Sequence, residues 1–141
     1  MERAKKTNVL IIDDEKSIRE SLQRMLERQE YRVFTAGDGE EGLRITHERN
    51  IDIALVDIVM PKMDGLEFLK QVHHSNPKIE VIMVTGQSTV ERCVKAIEYG
   101  ASGYLLKPVW FNDILDSITK AEKAIKEKES MLRKAMHHAK L

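Results

Sequence analysis

The sequence predicts an α/β fold, a doubly wound sheet of five parallel strands with helices on both faces. Three observations lead there. Apolar runs such as Val9–Ile12 and Ile79–Val84, the second broken only by Glu80, lack the polar alternation of a strand with one wet face, so they read as strands buried on both sides. Segments with apolar residues at helical spacing stand between these runs. The two signals alternate five times along 141 residues, a length that suits one domain with an appendage.

Each element has its own signal. Val9-Leu10-Ile11-Ile12 is the first strand, and Ile18, Leu22, Met25 and Leu26 mark the first helix. Tyr31 to Ala36 is β-prone and ends at the turn signal Gly37-Asp38-Gly39. Gly39 to Glu48 reads as a second helix built on Leu43 and Ile45. Ile51 to Val59, apolar except for Asp52 and Asp57, contains the third strand. Pro61 and Asp64-Gly65 break the chain before a helix with Leu66, Leu69 and Val72. Ile79 to Val84 is the fourth strand, and Val90, Cys93, Val94 and Ile97 mark a helix that stops at Gly100. Ser102 to Leu106 is the fifth strand. A long helix starts near Trp110, with Asn112 and Asp113 as candidate caps.

Composition excludes several classes. The 42% apolar and 33% charged content fits a globular chain with its own core, not a disordered one. Equal counts of 23 basic and 23 acidic residues argue against a general nucleic-acid binder. One cysteine rules out a disulfide framework and a cysteine-based zinc site. The charged N-terminus leads into only four apolar residues, too few for a signal peptide or membrane span, so a cytoplasmic domain is expected.

The polar residues that end the strands carry the chemistry. The first strand ends in Asp13-Asp14, the third in Asp57, the fourth in Thr85-Gly86 and the fifth in Lys107-Pro108. In an open α/β sheet ligands bind outside the carboxyl ends of the strands, so these groups are expected in one crevice. Three carboxylates together need a counter-charge. A hard divalent cation such as Mg²⁺ suits oxygen ligands, and a lysine and a hydroxyl beside it suit an arriving phosphoryl group.

Taken together, Asp13-Asp14, Asp57-Ile58-Val59-Met60-Pro61 with Met63-Asp64-Gly65, Thr85-Gly86, and Tyr104-Leu105-Leu106-Lys107-Pro108 resemble the receiver domain of two-component response regulators. The resemblance covers residues 7–124, leaving 1–6 as a tail and 125–141 as a helical extension. It implies a flavodoxin-like sheet of strand order 2-1-3-4-5. It implies that Asp57 is the phosphoacceptor, receiving a phosphoryl group from a sensor histidine kinase or a histidine phosphotransfer protein. Asp14 would bind Mg²⁺ directly, Asp13 through water, and the Val59 backbone carbonyl and Asp57 would complete the ligands. Lys107 would pair with Asp57 and then with the phosphoryl group. Thr85 would bind another phosphoryl oxygen, and Gly86 would leave room for the donor. Tyr104 would swing inward as Thr85 moves, changing the surface of the fourth helix, fifth strand and fifth helix. A cis bond before Pro108 would aim Lys107 into the crevice. Val59 and Gln87 carry no charge at positions that influence attack by water. Val109 and Trp110 stand where many relatives have a Phe-Asp pair.

A phosphohydrolase with an aspartate nucleophile is a second reading, but that chemistry usually places another acid two residues later, where this chain has Val59. A phosphorylation-independent interaction domain is a third, and the intact acid set argues against it. By the resemblance the module is not an enzyme beyond its own phosphorylation and dephosphorylation. Cys93, on the apolar stripe of its helix, reads as a small buried hydrophobe. The pairs His73-His74 and His137-His138 point about 100° apart on a helix and read as solvated. Ile114, Ile118, Ala121, Ile125, Lys128, Leu132, Ala135 and Ala139 form a heptad seam, which predicts a coiled coil that dimerises the chain or leads to an output domain. The partners expected are therefore the phosphodonor, an output domain or separate target, and a second copy. No nucleic acid or membrane contact is expected of this segment.

Overall fold

The computed structural model describes residues 6–139. Strands and helices alternate: β1 (Asn8–Ile12), α1 (Lys16–Arg28), β2 (Arg32–Ala36), α2 (Gly39–Glu48), β3 (Ile53–Val56), α3 (Gly65–Ser75), β4 (Glu80–Thr85), α4 (Val90–Glu98), β5 (Gly103–Leu106) and α5 (Phe111–Ala139). The strands pair in the order β2-β1-β3-β4-β5, all parallel. The fold class and strand order are those expected. The tail at 1–6 lies outside the described residues except for Lys6. No helix among the described residues is long and apolar enough to cross a membrane.

Successive strand residues point to opposite faces, and each face has its own core. Leu10 and Ile12 of β1 and Met83 of β4 pack with Phe68, Leu69 and Val72 of α3 and Ala96 of α4. Val9, Ile11, Ile53, Leu55 and Ile82 pack on the other side with Leu26 of α1 and Ile114, Ile118 and Ala121 of α5. β1, β3 and β4 are buried along their whole length, which is why their sequences are apolar except at the ends, where Asn8, Glu80 and Thr85 stand. Three helices start on side-chain caps: Asp38, Asp64 and Thr89 accept the backbone N–H of Glu41, Glu67 and Arg92. Asp64 is thus the cap of α3, not only a turn residue.

β3 occupies the middle of the expected segment: Asp52 before it accepts the Asn8 backbone N–H at 2.8 Å, and the chain leaves the sheet at Asp57. Three expectations need correction. Asn112 and Asp113 lie inside the first turn of α5; Asp113 there favours the helix through its charge at the positive end. On α4 the apolar stripe faces outward, with Val90 83%, Val94 46% and Ile97 68% exposed. The buried side is Ala96, and Cys93 is only half-buried. Periodicity identifies a helix face but not which way it points when a small residue already fills the contact.

The heptad seam of α5 is not free over its whole length. Ile114, Ile118 and Ala121 are buried in the core, and Ile125 packs on the same cluster. Glu122 accepts the Thr7 and Tyr31 hydroxyls at 2.7 and 2.9 Å. Lys128 reaches Glu80 at the start of β4, so contacts with the body continue past the expected boundary at 124.

Candidate functional site

Parallel strands bring their carboxyl ends to one edge, and the turns after β1, β3 and β5 deliver Asp13, Asp57 and Lys107 there. Lys107 Nζ donates to Asp13 Oδ2 at 3.0 Å and to Asp57 Oδ2 at 3.2 Å. Both carboxylates are buried, 4% and 7% exposed. Asp57 Oδ1 accepts the Val59 backbone N–H at 3.2 Å. Asp14 is exposed, yet Asp13, Asp14 and Asp57 each offer an oxygen within 4.8 Å of the others. The Lys107–Pro108 bond is cis, as the resemblance implies.

The local scaffold holds these groups. Asp13 Oδ1 accepts the Glu15 N–H at 2.9 Å, while Arg19 Nη1 donates to the Asp13 carbonyl at 2.7 Å. After β3, the Gly65 N–H donates to the Ile58 carbonyl at 2.8 Å. A Cβ on Gly65 would lie 2.8 Å from Ile58 Cα and closer still to the Asp57 carbonyl oxygen, so glycine lets α3 close on the loop that carries Asp57. Sequence reasoning missed Arg19 and this role of Gly65. The Asp-Gly pair signals a turn, but nothing in the sequence says what the turn rests against.

Burial pushes the Asp57 carboxyl above the ordinary carboxylate range; Lys107 opposes that shift and Asp13 adds to it. For Lys107, burial works against the ammonium, but Asp13 and then Asp57 outweigh it and hold its pKa above the usual lysine value.

The other predicted residues are nearby but not joined to this triad by side-chain hydrogen bonds among the described residues. Thr85 is fully buried, and its hydroxyl accepts the Gln87 N–H at 3.2 Å. A Cβ on Gly86 would rest 3.7 Å from Lys107 Cβ, so a side chain there would line the lysine stem. Gln87 is exposed, and its carbonyl takes Arg92 Nη1 at 2.9 Å. The Tyr104 hydroxyl lies 3.0 Å from Ser88 Oγ, on the loop before α4. Between α1 and α5 a cleft of about 470 Å³ is lined by Ile18, Leu22, Met25, Val109 and Phe111 and ends at Asp13, Asp57 and Lys107.

A family model described as the response regulator receiver domain matches residues 9–119. The chain belongs to that family. This receiver domain is 37% identical over 114 residues to the transcriptional regulatory protein ZraR of Klebsiella oxytoca, covering 81% of this chain and 26% of that protein. It is 38% identical over 100 residues to the alkaline phosphatase synthesis transcriptional regulatory protein PhoP of Bacillus subtilis, covering 71% of this chain and 42% of that one. The chain thus spans less than half the length of these curated relatives. A CheY-like receiver domain protein from Methanospirillum hungatei aligns with a TM-score of 0.83 at 34% identity, over 90% of this chain and 99% of the other. The response regulator TrrA of Thermotoga maritima, solved in complex with Mg²⁺ and BeF, aligns with a TM-score of 0.75 at 29% identity, over 82% of this chain and 98% of the other. As the receiver domain of a two-component response regulator, the chain has a phosphoacceptor role.

Proposed function

We propose that Asp57 accepts a phosphoryl group from the phosphohistidine of a sensor kinase or phosphotransfer protein. The observation that carries this reading is a buried carboxylate, Asp57, held by one ammonium that also serves Asp13. An Asp57 oxygen attacks phosphorus, the P–N bond breaks, and its electron pair leaves with the imidazole. Lys107 turns from the carboxylate to a phosphoryl oxygen. The Thr85 hydroxyl donates to another, giving up its contact with Gln87. Gly86 keeps the approach along the Lys107 stem open, and Val59 and Gln87 flank it with no charge to direct water. The apolar cleft between α1 and α5 suits the donor's approach.

The donor set fits Mg²⁺. Three carboxylates converge with one ammonium, and all the ligands on offer are hard oxygens. Asp13, Asp14 and Asp57 with the Val59 carbonyl would hold the ion, which supplies positive charge against the phosphoryl oxygens. The output surface of this reading is α4, β5 and the start of α5, where Val90, Val94, Ile97, Leu106 and Trp110 are exposed. Tyr104 would leave Ser88 and move inward as Thr85 shifts, a two-state change driven by local charge. An output domain or a separate target protein would read that surface; two relatives are named as transcriptional regulators. Incubation with a phosphoramidate donor and Mg²⁺ should label the wild type and leave Asp57→Asn unlabelled by mass. Equal labelling of the two overturns the assignment.

A further inference from the structure

Helix α1 starts without the ordinary means of holding a helix end. Glu15 at its N-cap makes no side-chain cap bond, and the first turn carries no acid. The stretch from Asp13 to Glu15 is held by two other bonds. Asp13 Oδ1 accepts the Glu15 N–H at 2.9 Å, and Arg19 Nη1 donates to the Asp13 carbonyl at 2.7 Å. Arg19 is itself fixed at both ends. Its backbone N–H donates to the Glu15 carbonyl at 3.1 Å. Its guanidinium lies against the turn after β2, where a Cβ on Gly37 would be 3.5 Å from Nη1 and 3.8 Å from Cζ.

The Asp13 carbonyl and the Asp14 N–H belong to one planar peptide unit. The unit before it is fixed by the sheet, because the Asp13 N–H donates to the Ala36 carbonyl at 3.2 Å. Holding the Asp13 carbonyl therefore sets the rotation of the next unit, and with it the direction in which the Asp14 side chain leaves the backbone. Asp13 and Asp57 have Lys107 to hold their carboxylates. Asp14 is exposed, and no hydrogen bond or ion pair among the described residues holds its carboxylate. Its oxygen nonetheless stands within 4.8 Å of the other two acids, so its place there rests on the backbone that Arg19 fixes.

We propose that Arg19 is a positioning residue for Mg²⁺ binding, acting through the Asp13 carbonyl to aim Asp14 at the other two acids. The inference rests on the reading that these acids hold Mg²⁺. The sign of the effect separates positioning from charge. A cation beside a metal site repels the metal, so by charge alone the loss of Arg19 would tighten binding. Positioning makes the same loss weaken it.

Calorimetric titration of the full chain with Mg²⁺ decides between them. Arg19→Met should weaken binding about tenfold, the scale of losing a group that orients a metal ligand. Arg19→Lys keeps a donor of shorter reach and should recover part of that loss. Wild-type or tighter affinity in Arg19→Met would overturn the inference. The route through Asp14 has its own readout in the NMR signal of its carboxylate carbon. At equal occupancy by Mg²⁺, the metal-induced shift of this carbon should fall in Arg19→Met to about half or less of its wild-type size, while that of Asp57 is kept. An undiminished Asp14 shift would overturn the route. Hydrogen exchange tests the hold on the turn without metal. The Glu15 amide should exchange about tenfold faster in Arg19→Met while the amides of β1 stay unchanged. An unchanged Glu15 amide would also overturn the inference. A wild-type chain that binds no Mg²⁺ would overturn the metal reading and this inference with it, whereas failure of the Arg19→Met expectations alone leaves the metal reading standing.

Discussion

Lys107 holds two buried carboxylates at once, and this shapes how the site titrates. The raised Asp57 pKa means that the folded domain keeps this proton at a pH where an unfolded chain, at 3.8, has lost it. Its ionised form therefore costs stability above the folded pKa, and the cost is relieved as pH falls through that value. Mg²⁺ binding needs the ionised carboxylate. Its affinity, measured by calorimetry, should drop as pH falls into the raised Asp57 range, and Asp57→Asn should flatten that drop; parallel pH curves would assign the titration elsewhere. Without metal, Asp57→Asn should melt higher than wild type at neutral pH. Gly65→Ala forces a methyl against Ile58 Cα at 2.8 Å and should cost about 1–3 kcal/mol in urea unfolding. It should also slow labelling of Asp57, because the loop must shift. Asp13, Asp14, Asp57, Thr85 and Lys107 were legible because the ends of apolar runs are visible in a sequence. Arg19 and Gly65 were not, because their roles lie in what they touch.

Helices α4 and α5 separate periodicity from direction. Both carry regular apolar spacing, yet the stripe of α4 faces out while the first half of the α5 stripe, Ile114 to Ile125, faces in. Val94→Ser and Ile97→Gln should change unfolding free energy by less than about 0.5 kcal/mol, although the sequence places them in an apolar face. Large losses in either would mean that the stripe is covered. Ending the chain after Ala121 removes Glu122, Ile125 and Lys128 and should lower stability by about 1–3 kcal/mol. Ending it after Glu129 should leave the urea midpoint near wild type. Equal midpoints for both truncations would show that the contacts at 122–128 stabilise nothing. The sequence assigned residues 125–141 to an extension because a heptad pattern does not say whether its partner is another chain or the same one.

Across the whole molecule, zero net charge averages over unlike ends: three acids and one lysine at the carboxyl edge, and a second set of polar pairs around Glu80 and Glu122 at the opposite edge. Tyr31 belongs to the second set. Burial, with Glu122 beside it, pushes its pKa up to about 12. The folded chain keeps that proton where the unfolded chain, at 10.0, releases it, so stability falls as pH rises from 10.0 toward about 12. The raised Lys107 value acts in the same direction, because its ion pairs stabilise the fold below 10.5 and are lost above the folded pKa. Urea midpoints should decline steeply over this range, and Glu122→Gln should bring the tyrosine absorbance transition back toward 10; an unshifted transition would detach Tyr31 from Glu122. The sequence by itself determined the five strands, the parallel sheet and the acids at its carboxyl edge. Burial on two faces demands unbroken apolar runs, and a polar residue that ends such a run must lie at the rim. Only the tertiary structure decided that α4 shows its apolar stripe to solvent, that Gly65 supports Asp57, and that Lys128 is bound to Glu80. Those depend on which surface meets which, and residues as far apart as 80 and 128 meet only when the chain is folded.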